Sequence, residues 1–442
     1  FRALQDAGHI EIITSAATHA YLPLALTDTS VRAQIRTGVD VYRQHFDRSP
    51  RGFWLPECGY RPGYAWSAPL PEFQGPAPVR RAGVGQLLAE SGIEYTFVDR
   101  QTLLGQHSYG VYADRFPALK ELWARSQAAH PNDSSKRTTF STYRLEEGDK
   151  GITVFGRDER TGAQVWSSDL GYPGDAAYLE FHRKHFPGRL RYWSVSMNKA
   201  DMGAKPLYQP YLASQQVRAH ANHFSTLVAS ELQRYRSESG QPGVIAALYD
   251  AELFGHWWFE GVDWLYEVIR EIHRRGEVHL STCEDYSNAH AARQLVSLPE
   301  GSWGEGGYHG IWLNEETGWT WALVYNAERT MAELGRLRGG ETLRTVLDQA
   351  VRELMLLQSS DWQFSITTWT SRDYAQGRVI HHSDRFNALA EMARSIAAGR
   401  ELYDSDSSLL AETILRDRCF RDPHSELWHV TSNHATPPKP EK

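Results

Sequence analysis

Short runs rich in β-branched and aromatic residues alternate with longer stretches of helical periodicity in the first part of the chain. Helical spacing is clearest in residues 30–46, where Val31, Ile35, Val39 and Tyr42 recur on one face. Because the segments between the β-rich runs are too long for hairpins, the strands are predicted to pair in parallel, as in an α/β sheet or barrel. The seven candidate strands are residues 11–16, 52–57, 94–99, 152–158, 191–196, 244–250 and 277–282.

The pattern becomes helical beyond residue 300. Within the segment that ends at residue 357, apolar residues share one helical face: Leu343, Leu347, Ala350, Leu354 and Leu357. A Gly-rich stretch at 301–307 separates this region from the preceding one, so a domain boundary is expected there. The predicted divisions are a βα-barrel over 1–300 with an inserted helical and loop segment around 100–150, a helical domain over 301–435 and a disordered tail over 436–442.

Polar side chains stand at the ends of several candidate strands, namely Glu57, Asp99, Arg157, Asp158 and Asp250. In a parallel βα-barrel, the C-terminal ends of the strands meet at one mouth, where chemistry takes place. A doubly wound sheet would instead carry a Gly-rich phosphate loop after its first strand, and no such motif follows any candidate strand. The polar strand ends therefore favour a barrel.

Charge and cysteine content exclude several classes of protein. The chain has 47 Lys and Arg against 54 Asp and Glu, a net charge of −7, and no basic block, which disfavours a nucleic-acid partner. Three cysteines without a pairing pattern favour a reducing compartment. No apolar run is long enough to span a membrane and no signal peptide begins the chain, so a cytoplasmic location is predicted. Because the chain begins at Phe1 without Met, upstream residues are expected to be missing.

Glu57 and Asp250 are the strongest candidates for acid chemistry. Each has an ordinary structural alternative: Glu57 as a helix-capping or ion-paired carboxylate, and Asp250 as the N-cap of a following helix. Two acids at two barrel-strand ends nevertheless suit glycosyl transfer, which uses one ionised and one protonated carboxyl group. The pair is more informative than either acid alone.

Aromatic content points in the same direction, with 15 Trp and 21 Tyr. Aromatic planes stack on the C–H faces of sugars, although core packing explains many tryptophans equally well. Trp166, Trp303, Trp312 and Trp362 are candidates for a sugar platform, and His19 is a candidate partner for a hydroxyl or a carboxylate. The sequence predicts no metal and no cofactor, since H-E-x-x-H is absent and His381 and His382 fall in a polar segment interpreted as a loop.

Taken together, these motifs resemble glycoside hydrolase family 57. GHIEIITSAATHAYLPL, GFWLPECGYRPG, ALYDAELFGHWWFEG and VHLSTCEDY follow the order of four of its five signature regions. VWSSDLGYPGD, GSWGEGGYHGIWLNEETGWTW and ELMLLQSSDWQF resemble its α-1,4-glucan branching enzymes in particular. The family's first region, a His-x-His-x-Pro stretch on the first barrel strand, is not in this sequence, so that strand is expected to be missing from the chain.

The resemblance implies an incomplete seven-stranded βα-barrel and a retaining double displacement. Glu57 would be the nucleophile and Asp250 the general acid/base, with carboxyl groups about 5 to 5.5 Å apart. No cofactor is implied, and the implied partners are α-1,4-glucan donor and acceptor chains; the oligomeric state is left open. The implied or candidate substrate-binding residues are His19, Trp54, Tyr109 (on an active-site loop), Arg157, Trp166, Trp303, Trp312 and Trp362.

The function predicted from this resemblance is α-glucan branching, in which an α-1,4-glucan segment is cleaved and reattached through an α-1,6 linkage. Three alternatives remain open at this point, and one of them is a structural partner in a glucan-synthesis complex. An α-1,4-glucan hydrolase or a 4-α-glucanotransferase would use the same two acids. A non-catalytic α-glucan-binding protein would fit a chain that lacks the first signature region.

Overall fold

Most of the chain can be described in a computed structural model, over residues 1–106, 111–130, 137–147, 151–167, 170–196 and 201–429. The described residues contain eight short strands in two sheets. The strands are β1 Thr14–Ser15, β2 Gly52–Trp54, β3 Ala65–Trp66, β4 Val79–Arg80, β5 Tyr95–Val98, β6 Tyr143–Leu145, β7 Thr153–Gly156 and β8 Leu295–Val296.

The larger sheet has the strand order β1-β2-β5-β7-β6-β8. The pairs β1–β2, β2–β5 and β6–β8 are parallel, and β6–β7 is antiparallel. Phe53 of β2 lies between Thr14 of β1 and Thr96 of β5, which fixes the register at the centre of the parallel part. The α/β class predicted from the alternating pattern is confirmed, and β3 and β4 form a separate antiparallel pair.

The predicted strands at 11–16, 52–57, 94–99 and 152–158 contain β1, β2, β5 and β7. The other three predictions are wrong. Residues 191–196 and 244–250 make only isolated bridges, and residues 277–282 form no strand and are largely exposed. A run of β-branched and aromatic residues becomes a strand only where a neighbouring strand satisfies its backbone.

Helices make up most of the regular structure. The predicted helix at 30–46 is confirmed as α2, which the Thr27 hydroxyl caps by accepting from the Ser30 amide. Within the described residues, no helix combines the length and the apolar character that crossing a membrane requires. The helices are α1 Arg2–Asp6, α2 Asp28–Phe46, α3 Val84–Glu90, α4 Arg100–Leu104, α5 Tyr112–Arg115, α6 Pro117–Ala129, α7 Glu159–Trp166, α8 Pro210–Ser239, α9 Gly261–Arg275, α10 Cys283–Ala289, α11 Gly318–Leu334, α12 Glu341–Leu357, α13 Ser360–Thr367, α14 Arg372–Ala397 and α15 Asp404–Arg416.

Two compact units divide the chain. The first comprises Phe1–Ser135, Tyr143–Val154 and Arg293–Lys442, and the second comprises Lys136–Thr142 and Phe155–Ala292. The predicted division near residue 300 does not coincide with this one, because α11 to α15 belong to the same unit as β1 and β2. The predicted tail at 436–442 lies outside the described residues.

The first unit has a core in which α12 packs against α14 and α11. The apolar face predicted for α12 is buried along its whole length, from Leu343 to Leu357. A polar contact crosses this core: Nδ1 of His382 lies 2.8 Å from a carboxylate oxygen of Glu353. The interpretation of His381 and His382 as loop residues is therefore wrong. Both lie within α14, where the polar His382 is accommodated because Glu353 and Arg378 partner it.

Truncating Leu354 to Ala is expected to lower the free energy of unfolding by about 2–5 kcal/mol, because the side chain is fully buried between helices. Urea unfolding followed by circular dichroism measures the change. Leu415→Ala is the matched control, since Leu415 lies on α15 with 70 % of its surface exposed. Equal effects of the two substitutions would contradict the packing described for α12.

Candidate active site

Glu57 lies on a strained turn that directly follows β2. The turn is a single 3-10 turn, Pro56–Cys58, closed by the Cys58 amide donating to the Leu55 carbonyl at 2.9 Å. Glu57 and Cys58 both have left-handed backbone conformations, with φ of 60° and 51°. Non-glycine residues rarely adopt this region, at a cost of about 1–2 kcal/mol each, and such strain concentrates at functional sites. The buried residues Phe53 and Leu55 anchor the turn from below.

Two side chains from distant parts of the sequence hold the Glu57 carboxylate. The indole Nε1–H of Trp303 donates to Oε2 at 2.7 Å, and the Ser360 hydroxyl donates to Oε1 at 3.1 Å. The Trp303 backbone amide also donates to the Glu57 carbonyl at 3.0 Å. Each carboxylate oxygen therefore has its own donor, which fixes the orientation of the group. Only 8 % of the residue's surface is exposed.

Burial raises the pKa of Glu57 from its ordinary 4.5 to about 7. The donors Trp303 and Ser360 act against this shift because they stabilise the ionised form, and the indole of Trp312 acts in the same direction. The nearby Asp361 carboxylate opposes them and favours the protonated form. Glu57 therefore titrates close to neutral pH.

The Ser360 hydroxyl links His19 to Glu57 by two hydrogen bonds. Its Nδ1 lies 2.9 Å from the Ser360 hydroxyl, and its carbonyl accepts from the Ser360 amide at 3.0 Å. The hydroxyl has one proton, which it donates to Glu57, so Nδ1 of His19 must carry the proton that Ser360 accepts. His19 thus orients the hydroxyl that orients the carboxylate. Ser360 was missed in the sequence, since serines near a helix start are common and nothing local links Ser360 to Glu57.

Trp54 and Trp312 have different environments near Glu57. The Trp54 ring is half-buried and meets Trp303 edge to face, with ring centroids 5.1 Å apart. The Trp312 ring is almost fully buried and stacks on Tyr21 at 4.4 Å. Trp303 and Trp54 therefore present partly accessible surfaces, whereas Trp312 packs beneath the site. Substrate contact by any of the three stays a prediction.

A buried hydrogen-bond chain continues below Trp312. The Tyr21 hydroxyl lies 2.6 Å from Nδ1 of His309, whose Nε2 lies 2.9 Å from Glu300. Tyr64 donates to the other oxygen of Glu300 at 2.6 Å. Burial alone would raise the pKa of Glu300, but these two hydrogen bonds and the charge of Arg61 hold it below its ordinary value. Sequence reasoning did not predict these hydrogen bonds, because the residues that make them belong to unrelated motifs.

Trp362, at the start of α13, is half-buried. Its indole N–H donates to the Leu356 carbonyl at 2.8 Å, and its ring lies near Tyr374 and His382. These contacts are those of a packed residue, and its role in sugar binding stays a prediction. Tyr109 lies outside the described residues.

Asp250, Arg157 and Trp166 belong to the second unit. Asp250 stands at the N-cap position of a short 3-10 helix, Ala251–Leu253, as its structural alternative predicted, but its side chain makes no capping hydrogen bond there. Arg157 follows β7 and bridges to Ala246 through the backbone. Trp166 ends α7 and is half-buried against the core of this unit. The roles of these residues stay predictions.

Two clusters within the described residues bring potential metal ligands together: Glu353, His382 and Asp417, and Asp422, His424 and Glu426. In the first cluster, Nδ1 of His382 contacts Glu353 and Nε2 contacts Arg378, each at 2.8 Å, so both ring nitrogens already have protein partners. In the second, the two imidazole nitrogens of His424 contact Asp40 and Glu426 at the surface. Neither cluster adjoins Glu57, and we assign no metal to them.

Comparison with known proteins defines the class. Residues 1–299 match the sequence model of glycosyl hydrolase family 57, and residues 323–428 match that of the 1,4-alpha-glucan branching enzyme C-terminal region. The first match covers more than half of the chain. The chain therefore belongs to glycosyl hydrolase family 57, as the sequence motifs predicted.

Similar proteins with names include branching enzymes and an alpha-amylase. The 1,4-alpha-glucan branching enzyme TK1436 of Thermococcus kodakarensis is 41% identical over 427 residues, which cover 95% of this chain and 59% of the relative. Its crystal structure has a TM-score of 0.85 at 40% identity, covering 98% of this chain and 74% of that one. The branching enzyme of Pyrococcus horikoshii also scores 0.85, at 38% identity, covering 99% and 75%. The alpha-amylase AmyC of Thermotoga maritima scores 0.75, at 28% identity, covering 98% and 75%.

The parent protein is expected to lose stability as the pH rises from 4.5 to about 7, and Glu57→Gln is expected to abolish this loss. Because the folded-state pKa of about 7 exceeds the ordinary 4.5, the folded protein binds more protons than the unfolded chain between these values. The free energy of unfolding of the parent therefore falls as pH rises through this window, by at most about 3 kcal/mol. Urea unfolding across the window measures the difference between the two proteins.

The matched control is Glu72→Gln, since Glu72 is exposed. Its stability should follow that of the parent at every pH. A difference between Glu57→Gln and the parent that stays constant across the window would contradict the raised pKa of Glu57.

Proposed function

We propose that the chain is the catalytic part of a retaining α-1,4-glucan branching enzyme. The observation that carries the proposal is the Glu57 carboxylate, which is buried at a strand end and held by Trp303 and Ser360. The branching specificity is supported by the family-model match over residues 323–428 and by the named branching enzymes at 38–41% identity. The chain spans 59% of the length of the first of these relatives, so its activity is a proposal.

In the proposed first step, Glu57 attacks the anomeric carbon of an α-1,4-glucan while Asp250 protonates the departing 4-oxygen. A glycosyl ester on Glu57 forms as the glycosidic bond breaks. In the second step, Asp250 takes the proton of an acceptor 6-hydroxyl, whose oxygen displaces Glu57. Two inversions give net retention and an α-1,6 linkage. Trp303 and Ser360 contribute by orienting the attacking oxygens and by stabilising the carboxylate when it departs.

The remaining assignments belong to the same proposal. We propose that His19, Trp54, Tyr109, Arg157, Trp166, Trp303, Trp312 and Trp362 contact the donor or acceptor chain. An incomplete seven-stranded barrel over 1–300, followed by a helical region over 301–435, is supported by the parallel strand pairs and by the two matched regions. A cytoplasmic location without nucleic-acid or membrane partners is supported by a sequence with three cysteines in no pairing pattern and a net charge of −7.

Hydrolysis is the second candidate function. The structural likeness to an enzyme named alpha-amylase, at 28% identity and a TM-score of 0.75, favours it specifically. Water would then replace the acceptor 6-hydroxyl in the second step, with the same two acids. Each hydrolytic event creates a new reducing end, whereas branching leaves their number constant.

Incubation of amylose with the purified protein is expected to yield α-1,6 linkages at a constant number of reducing ends. Proton NMR measures the linkages, and chain-length analysis after debranching identifies the transferred segments. Glu57→Gln is expected to reduce the rate at least a thousandfold, by roughly 4 kcal/mol in the barrier, because it removes the nucleophile. Glu72→Gln serves as the control. New reducing ends without α-1,6 signals would identify a hydrolase, and an unchanged chain-length distribution would identify a binding protein.

Replacing Trp303 with Phe is expected to move the acidic limb of the kcat/KM profile to higher pH. Glu57 must be ionised to attack, so activity falls as pH decreases through its pKa of about 7. Losing the indole donor destabilises the carboxylate and raises that pKa. Ser360→Ala should move the limb in the same direction, since it removes the other donor.

The control for this shift is Trp54→Phe, because Trp54 touches the Trp303 ring but no contact described above joins it to the Glu57 carboxylate. It should leave the position of the limb unchanged, whatever it does to the rate. A limb that stays in place in both Trp303→Phe and Ser360→Ala would show that Glu57 does not control it.

A further inference from the structure

Trp369 is exposed in an unusual way for a large aromatic residue. Thr368 caps the C-terminal end of α13, and Trp369 is the next residue. The backbone of Trp369 is left-handed, with φ of 60°. Glycine is the residue that this position after a helix favours, because a side chain there is strained. The ring is nevertheless 66 % exposed to solvent. Neither burial nor backbone preference explains a tryptophan here, and outliers of this kind direct attention to function.

The ring is supported from one side. The Arg372 guanidinium lies over it, 4.2 Å from the ring centroid, and donates to the Glu316 carboxylate at 3.0 Å. The cation therefore covers one face of the indole and is itself fixed by an ion pair. On either side of Trp369 in the chain, the hydroxyls of Thr368 and Thr370 lie 3.1 Å apart. A supported aromatic plane thus stands among groups that donate and accept hydrogen bonds.

Helix α13 connects this ring to Glu57. The first residue of the helix, Ser360, donates to the Glu57 carboxylate, and Trp369 follows the opposite end. Eight residues of α-helix extend for about 12 Å. The ring therefore stands at a distance from the carboxylate that a chain of several glucose units spans, on the same compact unit.

We propose that Trp369 is a stacking platform for a glucose residue of an α-glucan chain, remote from the bond that is cleaved. The inference rests on the proposed function and assigns to that site an additional contact, which favours long chains over short ones. The C–H face of a pyranose packs on the uncovered face of the indole, and the neighbouring hydroxyl and charged groups bind its hydroxyls. An uncharged sugar suits this surface, because Arg372 and Glu316 neutralise each other.

Binding of amylose and of maltose by Trp369→Gly tests the platform, measured in a Glu57→Gln background so that no turnover occurs. The affinity for amylose is expected to fall about five- to tenfold, the effect of one lost aromatic contact. Affinity for maltose should not change, because a disaccharide does not reach both positions. The melting temperature should be unchanged or higher, since glycine relieves the left-handed strain.

Trp369→Phe should recover part of the amylose affinity, because it restores an aromatic plane. Tyr403→Ala is the matched control, since Tyr403 is 79 % exposed on the same unit and carries no supporting cation in the contacts described for it. Equal loss for both ligands, no loss for amylose, or a change in sedimentation mass instead of affinity would overturn the platform. If the Glu57→Gln protein with Trp369 intact binds neither glucan, the proposed function itself fails. If that protein binds amylose and Trp369→Gly does not weaken the binding, only the platform fails.

Discussion

The candidate site depends on one constraint: the carboxylate of Glu57 is buried away from water. Burial of Glu57 favours its protonated form, whereas the proposed attack on a sugar needs the ionised form. The two hydrogen bonds from Trp303 and Ser360 recover part of the lost hydration and, unlike water, hold the oxygens in one orientation. The resulting pKa of about 7 leaves the group near the point where both forms coexist, so small changes in its surroundings alter its charge.

The helices after residue 300 are part of this arrangement. Ser360 begins α13, directly after α12, whose buried face is held by α14 and α11. The position of one hydroxyl at Glu57 therefore depends on the packing of a helical core. This dependence gives the C-terminal region a physical role beside the strands, and it explains why the division near residue 300 does not separate compact units.

Local patterns predicted local structure well. The spacing of Val31, Ile35 and Val39 identified α2, and the apolar face of α12 was recovered residue by residue, because both depend on helical periodicity within one segment. Strands were less predictable: residues 277–282 have β-forming composition but form no ladder, since pairing depends on neighbours that composition does not reveal. Glu57 was identified from its place at a strand end, and the motifs then indicated the family.

The hydrogen-bond partners of Glu57 could not be predicted from local sequence patterns. Trp303 was a candidate for sugar contact, and the structure places its indole on the carboxylate itself. Ser360 lies within the motif ELMLLQSSDWQF, but nothing in that motif links it to Glu57, and Trp312, another candidate for sugar contact, stacks on Tyr21. Hydrogen-bond partners separated by hundreds of residues are fixed only by the complete fold.

That separation also sets the order in which the site is assembled. The donors to Glu57 stand 246 and 303 positions further along the chain. Loops of this length close late, after local helices and hairpins have formed. During synthesis, β2 leaves the ribosome long before α13 does, so the nascent chain carries a carboxylate without its partners. The site is completed only when the C-terminal helices have been made, which restricts its proposed chemistry to chains that have folded.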